Sequence, residues 1–496
     1  MSSEKDIVVA SKDAELGSGG VEAIKAEHGE TYLVGSPVER SLVRKFDTRL
    51  LPLLTLMYLF NSVDRSNLGN AKTDGLEEDL GMTGNQYANT LVIFYVTFCL
   101  LDLPSNLLLK KFTAKYWLPF LMTGWGSMTL LQCAAHNWAG LVTLRVFMGA
   151  FEAGFFAGSI FYLTTFYKRD EIAFRLALFY GAATIAGAFS GLIAFGVFQI
   201  HHDSIPGWKF LMIIEGGITV LLAAFAVWWL PESAAKCRWL TDEEKAMANA
   251  RMLQDSSKAT DEKLNIKLAV KKILDWRIMA YAILAFSYGT ASSIVGNFLP
   301  QLVGRLGYSS IKTNLYTVAP FVCGCFILLL TCRSSDHFRE RSFHMAFALS
   351  LTLIGLIILA TVDTVKNKGV AYFACFMLTS GAFTPSCIFH SWHNNNEATE
   401  NGRAAITGFL VGAANSGGIF SSLSFNAKTA PKYIPAIAMG AAFQGLGIVI
   451  ILSLGYWFRR DNKKRDEKLG RVLKPQDVCT STLTGGYDDL NWRWTS

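Results

Sequence analysis

The chain has 496 residues, of which 51% are hydrophobic and 17% charged, with a formal net charge of +7 and a mean hydropathy of +0.30. Soluble domains carry roughly 25% charged residues, and here the apolar residues fall in blocks of about 20, the length a bilayer core of about 30 Å demands of a helix. A soluble globular protein is thereby excluded. The basic residues collect in tails and loops beside apolar runs, which points to membrane topology and away from a nucleic-acid partner. The nine cysteines show no CxxC or metal-ligand spacing and read as free thiols that pack as small apolar groups.

In chain order, residues 1–48 are polar, Gly/Ser-rich and mixed in charge, without a basic segment leading into an apolar run. They read as a disordered cytosolic tail and not as a signal peptide. Apolar runs then predict six spans near 49–70, 88–109, 116–135, 138–166, 174–200 and 208–230, an N-terminal half over 49–230. The fourth is long enough to tilt or protrude. A polar linker over 231–277 follows, in which Leu240-Thr241-Asp242-Glu243-Glu244 carries a capping box, Thr241 with Glu244, so part of it is expected to be helical. Six further spans, near 278–300, 313–332, 342–362, 369–392, 403–424 and 434–458, make a C-terminal half over 278–458, and 459–496 reads as a cytosolic tail. The expected fold is therefore an all-α, multi-pass membrane protein of twelve transmembrane helices in two six-helix halves.

With the N-terminus inside, most Lys and Arg fall on the inner side, including Lys110, Lys111, Lys168, Arg169, Arg339 and Arg341 in short loops, so both termini are expected in the cytosol. A weak repeat about 225 residues apart relates Lys45-Phe46-Asp47-Thr48-Arg49 to Ile273-Leu274-Asp275-Trp276-Arg277, and Leu80-Gly81-Met82-Thr83 to Leu306-Gly307-Tyr308-Ser309. Parallel halves of this kind place a substrate site near the midplane between them.

Ionisable residues inside apolar spans cost several kcal/mol unless paired, hydrated or used. In the first span, Asn61, Asp64, Arg65 and Leu68 follow helical spacing, and Asp64 and Arg65 are expected to face a common interior side. In the fourth, Arg145 and Glu152 lie seven residues apart, nearly two turns, which stacks them on one face and suggests that Arg145 holds Glu152. These four are read either as structural salt bridges or as a docking and coupling device. An arginine keeps its proton and forks onto a carboxylate, whereas an acid beside it can exchange a proton. Weaker readings place Tyr95, Tyr288, Asn297 and Asn415 along the cavity or between helices, and His390 either at the site or solvated at a membrane boundary. Glu215 reads as structural, near the extracellular end.

Tyr58-Leu59-Phe60-Asn61-Ser62-Val63-Asp64-Arg65-Ser66-Asn67-Leu68-Gly69-Asn70-Ala71 resembles the first-span signature of the fungal allantoate-permease branch of the anion:cation symporter family, within the major facilitator superfamily. Leu103-Pro104-Ser105-Asn106-Leu107, Arg145-x-x-x-Gly149-x-x-Glu152-Ala153-Gly154, Phe298-Leu299-Pro300, Trp392-x-x-x-Asn396 and Asn415-x-Gly417-Gly418 are similar to its other motifs. The resemblance implies proton-driven import of a small organic anion such as nicotinate, pantothenate, allantoate or biotin. It implies substrate-binding arginines at Arg65 and Arg145 and proton carriers at Asp64 and Glu152. Asn67, Tyr95, Tyr288, Asn297, His390, Trp392, Asn396 and Asn415 join the expected substrate set. The Gly-x-x-x-Asp-Arg loop motif of the superfamily is degenerate after the second span, where Lys110 and the substitute acid Asp102 stand, while Asp336, Arg339 and Arg341 retain more of it; these five are the expected gating residues. No cofactor beyond a proton gradient and no metal are expected. The expected partners are the anion, protons and lipid, for a monomer in a fungal plasma membrane. An efflux carrier and a non-transporting nutrient sensor remain alternatives, whereas the spans carry no HExxH, Ser-His pair or phosphate loop that would mark an enzyme.

Overall fold

The computed structural model describes residues 23–25, 31–33, 36–167, 169–200, 205–255, 273–397, 400–430, 432–473, 487 and 489–496. Two three-residue strands, β1 (Ala23–Lys25) and β2 (Thr31–Leu33), pair antiparallel ahead of the helical body. Helix α1 (Pro37–Lys45) then begins at Ser36, whose hydroxyl accepts from the backbone of Glu39, with Pro37 pre-set for the first turn. The sequence expectation of a structureless tail fails for these residues, and 1–22 lie outside the described ones.

The N-terminal bundle contains α2 (Leu51–Thr73), a short α3 (Leu76–Asp79), α4 (Gln86–Phe112), α5 (Ala114–Leu131), α6 (Trp138–Glu152), α7 (Phe155–Thr164), α8 (Arg169–Val197) and α9 (Gly207–Trp229). After α10 (Asp242–Asp255), the second bundle contains α11 (Trp276–Gly304), α12 (Ser310–Phe338), α13 (Ser342–Thr361), α14 (Lys368–Ala382), α15 (Thr384–Asn395), α16 (Glu400–Ser424) and α17 (Ile434–Leu469). Ten membrane-length apolar stretches are present among the described residues. Two more rods complete the twelve: α2, whose hydropathy is lowered by Asp64, Arg65 and Lys72, and the shorter α5. Both are packed into the bundle, α2 along α8 and α9 and α5 along α9 and α6.

The halves meet along α4 with α16, α8 with α12, and α2 with α11. A two-fold axis between parallel repeats exchanges the first two of these contacts and maps the third onto itself, so the weak sequence repeat has a structural counterpart. Gly69 makes the α2–α11 crossing possible, since a Cβ there would sit 2.7 Å from the Asn297 carbonyl oxygen.

One face of the bundle carries α1, α10 and residues 489–496. On it the capping box forms: the Thr241 backbone donates to Glu244 at 2.9 Å and the Glu244 backbone to the Thr241 hydroxyl at 3.3 Å. The same carboxylate accepts from Lys45 at 2.7 Å and Ser41 at 2.9 Å, fastening the linker helix to α1. Burial works against its charge, but the Lys45 bond and the other donors outweigh burial and hold the Glu244 carboxyl below its ordinary value. The lowered folded value means that this clamp is complete above the ordinary carboxylate range and is lost as pH falls through the lowered one. Glu244→Gln is expected to speed amide hydrogen exchange over residues 37–45 severalfold, since a cap and a charged pair together contribute about 1–2 kcal/mol; unchanged exchange would show that α1 is held by other contacts.

The C-terminal boundary also departs from expectation. Helix α17 runs on to Leu469, and 489–496 pack back on the bundle, with Trp492 and Trp494 buried and Arg493 paired to Asp466 at 2.7 Å. Two large indoles give this segment enough apolar surface to leave water. Residues 256–272 of the linker and 474–486 of the tail lie outside the described ones.

Candidate substrate cavity

The fourth rod of each half is broken at mid-height. In the first half, α6 ends at Glu152 and α7 starts at Phe155, because Gly154 adopts a φ of 79° and a Cβ there would run into the Ser105 side chain. The expected long, tilted fourth span is therefore two helices. Asp102, buried on α4, accepts from the freed Gly154 backbone N–H at 2.9 Å. In the second half, α14 ends at Ala382 and α15 starts at Thr384 with Pro385 in its first turn. The Ala382 carbonyl accepts from Ser292 of α11 at 2.6 Å. Paired interruptions at corresponding positions of two repeats mark the binding region of a transporter. Gly154→Val is expected to abolish transport and lower yield, since the strained φ and the clash with Ser105 each cost about 1–3 kcal/mol; normal yield and uptake would contradict this account of the break.

Between the broken rods lies a cavity lined by both halves. Arg65 reaches into it, its side chain 26% exposed, and donates from Nε and Nη2 to Glu152 Oε2 at 3.0 and 2.7 Å. Phe98 and Phe94 hold the guanidinium at 5.0 and 5.5 Å from their ring centres. The other Glu152 oxygen, Oε1, is buried without a hydrogen-bond partner among the described residues. The fully buried carboxylate thus has one oxygen committed to an arginine and the Asn61 side chain as its other polar neighbour.

The structure brings Arg65, Glu152, Tyr95, Tyr288, Asn297, His390 and Asn415 to this cavity. Asn297 donates to the Tyr95 hydroxyl at 2.9 Å, bridging α11 and α4 across the two halves. Asn415 back-bonds to Val411 at 3.0 Å. His390 is buried and shares a hydrogen bond with His393 at 3.0 Å, so the reading of a solvated boundary histidine is set aside. Tyr58, Tyr180, Ser292 and Ser386 also line the cavity; their hydroxyls in apolar spans were the available signal, and helical periodicity alone did not single them out.

Other expected positions fall elsewhere. Arg145 does not hydrogen-bond to Glu152 but donates to Gln132 at 2.9 Å and Asn67 at 2.8 Å, away from the cavity. Seven residues share a helix face but are separated by about 10.5 Å of rise, and α2 brings Arg65 to the Glu152 level first. Asp64 and Arg65 do not share a side either, since adjacent helical residues diverge by about 100°: Asp64 turns inward to accept from Thr219 at 2.7 Å and Trp125 at 3.2 Å. Trp392 and Asn396 face Tyr281 and the docked tail, both donating to the Thr495 carbonyl, at 2.8 and 2.9 Å. Two residues beyond His390, Trp392 is rotated by about 200° from the cavity.

Of the expected gating set, Asp102 is tied to the α6–α7 break, and Asp336 pairs with Arg341 at 2.6 Å at the α12–α13 turn. Arg339 caps α12 there with a φ of 52°. Lys110 falls on α4, and its side chain lies outside the described residues.

The end of the bundle opposite the termini is sealed between the halves. Asn314 donates to Thr73 at 2.9 Å, Gln301 to the Tyr87 hydroxyl at 3.3 Å, and Phe298 lies edge-on to Tyr87.

Residues 54–422 match the family model described as Major Facilitator Superfamily. The chain is 63% identical over 459 residues, 92% of each chain, to the "MFS-type transporter efuF" of Hormonema carpetanum. It is 46% identical over 471 residues to the "Major facilitator-type transporter hxnP" of Emericella nidulans, covering 94% of this chain and 95% of that one. Among solved structures, a D-xylose-proton symporter superposes with a TM-score of 0.60 at 16% identity, covering 81% of this chain and 96% of that one. A bacterial homologue of the lysosomal transporter Spinster superposes at 0.58 and 14% identity, covering 85% and 96%. With two parallel halves around a shared cavity, the chain belongs to the Major Facilitator Superfamily and is a multi-pass membrane transporter of that type.

Proposed function

We propose that the protein imports a small organic anion by proton symport, through alternating access about the cavity. The observation that carries this reading is the Arg65–Glu152 pair, an arginine that faces the cavity and is neutralised by a single carboxylate oxygen. A substrate carboxylate that takes the guanidinium edge displaces Glu152, and a displaced carboxylate in a low-dielectric wall needs a proton, which Glu152 Oε1 is free to accept. The loaded site then has the same net charge as the empty one, so both can close. Anion and proton cross together because either alone leaves a buried charge unpaired.

The distribution of Lys and Arg supports a cytosolic placement for the face that carries α1, α10 and the tail, and so an extracellular placement for the sealed end. The motif resemblance supports a monocarboxylate of vitamin or allantoate type, and a plasma-membrane monomer. The test is uptake of labelled nicotinate, pantothenate, allantoate and biotin into proteoliposomes, with and without an inward proton gradient. Gradient-dependent accumulation of at least one supports symport; binding without movement would indicate a sensor, and accumulation only against an outward gradient an efflux carrier.

A further inference from the structure

Segment 489–496 is held on the bundle as a bound peptide would be, by groups that read its backbone and pockets that take its indoles. Asn396, at the end of α15, donates to the Thr495 carbonyl at 2.9 Å and accepts from the Thr495 N–H at 2.8 Å. Asn462 of α17 does the same for Trp494, at 2.8 and 2.9 Å. Trp392 of α15 adds a third bond, to the Thr495 carbonyl at 2.8 Å, and the Arg341 N–H ahead of α13 donates to the Ser496 carbonyl at 2.8 Å. Trp494 stacks on Phe458 of α17 with ring centres 5.0 Å apart, gives its indole N–H to Asp461 at 2.8 Å and has Arg277 of α11 at 4.9 Å from its ring centre. Main-chain hydrogen bonds with side-chain pockets are how an extended peptide is recognised. Trp392 and Asn396, expected in the substrate set, are part of this groove.

Helix α15 has a second face. Ser386 and His390 on it line the cavity. The His390 ring lies 6.0 Å from that of Phe156 on α7 and 6.3 Å from that of Tyr180 on α8, so here the second half touches the first beside the cavity. Both α7 and α15 run from their breaks toward the face that carries the tail: Tyr162 of α7 donates to the Pro231 carbonyl ahead of α10, and α15 ends on the tail itself. The two half-rods therefore flank the way from the cavity to that face.

Helix α15 is separated from α14 by the break at Phe383, and a helix joined by such a break can tilt about it. Its length of about 18 Å turns a tilt of roughly 20° into a movement of about 6 Å at the Asn396 end. On the side away from the cavity that end is bonded to Thr495, while Trp392 packs on Tyr281 and Phe458. An outward lean has to break both amide bonds to Thr495 or carry the segment with it.

We propose that segment 489–496 is a reversible latch: docked in its groove it holds α15 against α7 and α8 and restrains the cavity from opening toward the face that carries the tail, and when it leaves, α15 tilts at Phe383 and that opening becomes easier. The docking and the hold on α15 do not depend on what the cavity carries, whereas the consequence for transport rests on the reading above.

The test uses the purified chain ended at residue 486, with a synthetic peptide of residues 487–496 supplied separately. The fluorescently labelled peptide should bind the shortened chain, a scrambled peptide of the same composition should not, and Asn396→Ala should weaken binding at least tenfold. Amide hydrogen exchange over residues 384–395 should rise severalfold on shortening and return to the full-chain level with the peptide, while exchange over 207–229 stays level. Trp494→Ala in the full chain should raise exchange over 384–395 in the same way, and it decides the matter if the shortened chain fails to assemble. Exchange over 384–395 that is unchanged in both variants, or that rises equally over 207–229 and is not restored by the peptide, overturns the latch. For the transport consequence, counterflow of labelled nicotinate, pantothenate and allantoate should be severalfold faster in the shortened chain and slow again with the peptide; counterflow unchanged while α15 exchange rises refutes the control of opening. A carrier that moves none of the three probes with or without the segment counts against the transport reading, while exchange and peptide binding still decide the latch.

Discussion

Arg65→Lys is expected to reach the membrane in normal amount and to lose about tenfold to a hundredfold in uptake at low anion concentration. Lysine keeps the positive charge but loses the planar edge whose Nε and Nη2 both meet Glu152 Oε2, and with it the fork that receives a carboxylate. A hydrogen bond to a charged group contributes about 1.5–3 kcal/mol, which sets that range. Lysine also loses the flat surface that Phe98 and Phe94 hold in place, so the remaining charge is less well positioned. The distinguishing readout is the concentration dependence: the loss should appear mainly as a raised half-saturation concentration. Near-normal half-saturation in Arg65→Lys would remove Arg65 from the docking role.

Glu152→Gln is expected to separate exchange from accumulation. Glutamine has the shape of the protonated acid and frees Arg65 permanently, so an anion can still dock and pass in counterflow. No proton is then needed to keep the loaded site neutral, and the proton gradient loses its hold on the anion. Accumulation against a gradient should fall to the level of passive equilibration. If Glu152→Gln concentrates the anion as the unmodified protein does, coupling lies elsewhere and Asp64, the other expected proton carrier, becomes the candidate.

Much of the architecture was legible because the bilayer imposes a simple rule. Runs such as 208–230 and 342–362 have to be helical to satisfy their backbone in lipid, and α9 and α13 end within a residue or two of those limits. Partnerships were less legible than burial. Asp64, Arg65, Arg145 and Glu152 stand out in the sequence because charge is rare there, yet which acid meets which arginine depends on where α2 crosses α6, and periodicity along one helix carries no information about that crossing. The break at Gly154 was hidden for a related reason: a glycine in an apolar run reads as a packing residue until the side chain it would strike, Ser105, is located. Glu215 looked peripheral by its position in the sixth span, but it is fully buried against α8, where Ser190 donates to it at 3.4 Å.

The most direct measurement is the proton flux that accompanies anion entry into proteoliposomes carrying a pH-sensitive dye, with nicotinate, pantothenate and allantoate as probes. Symport through the Arg65–Glu152 pair requires the lumen to acidify as the transported anion enters, in proportion to it, and requires Glu152→Gln to move the anion by exchange with no acidification. Anion entry without proton flux in the unmodified protein, or unchanged acidification in Glu152→Gln, would contradict it.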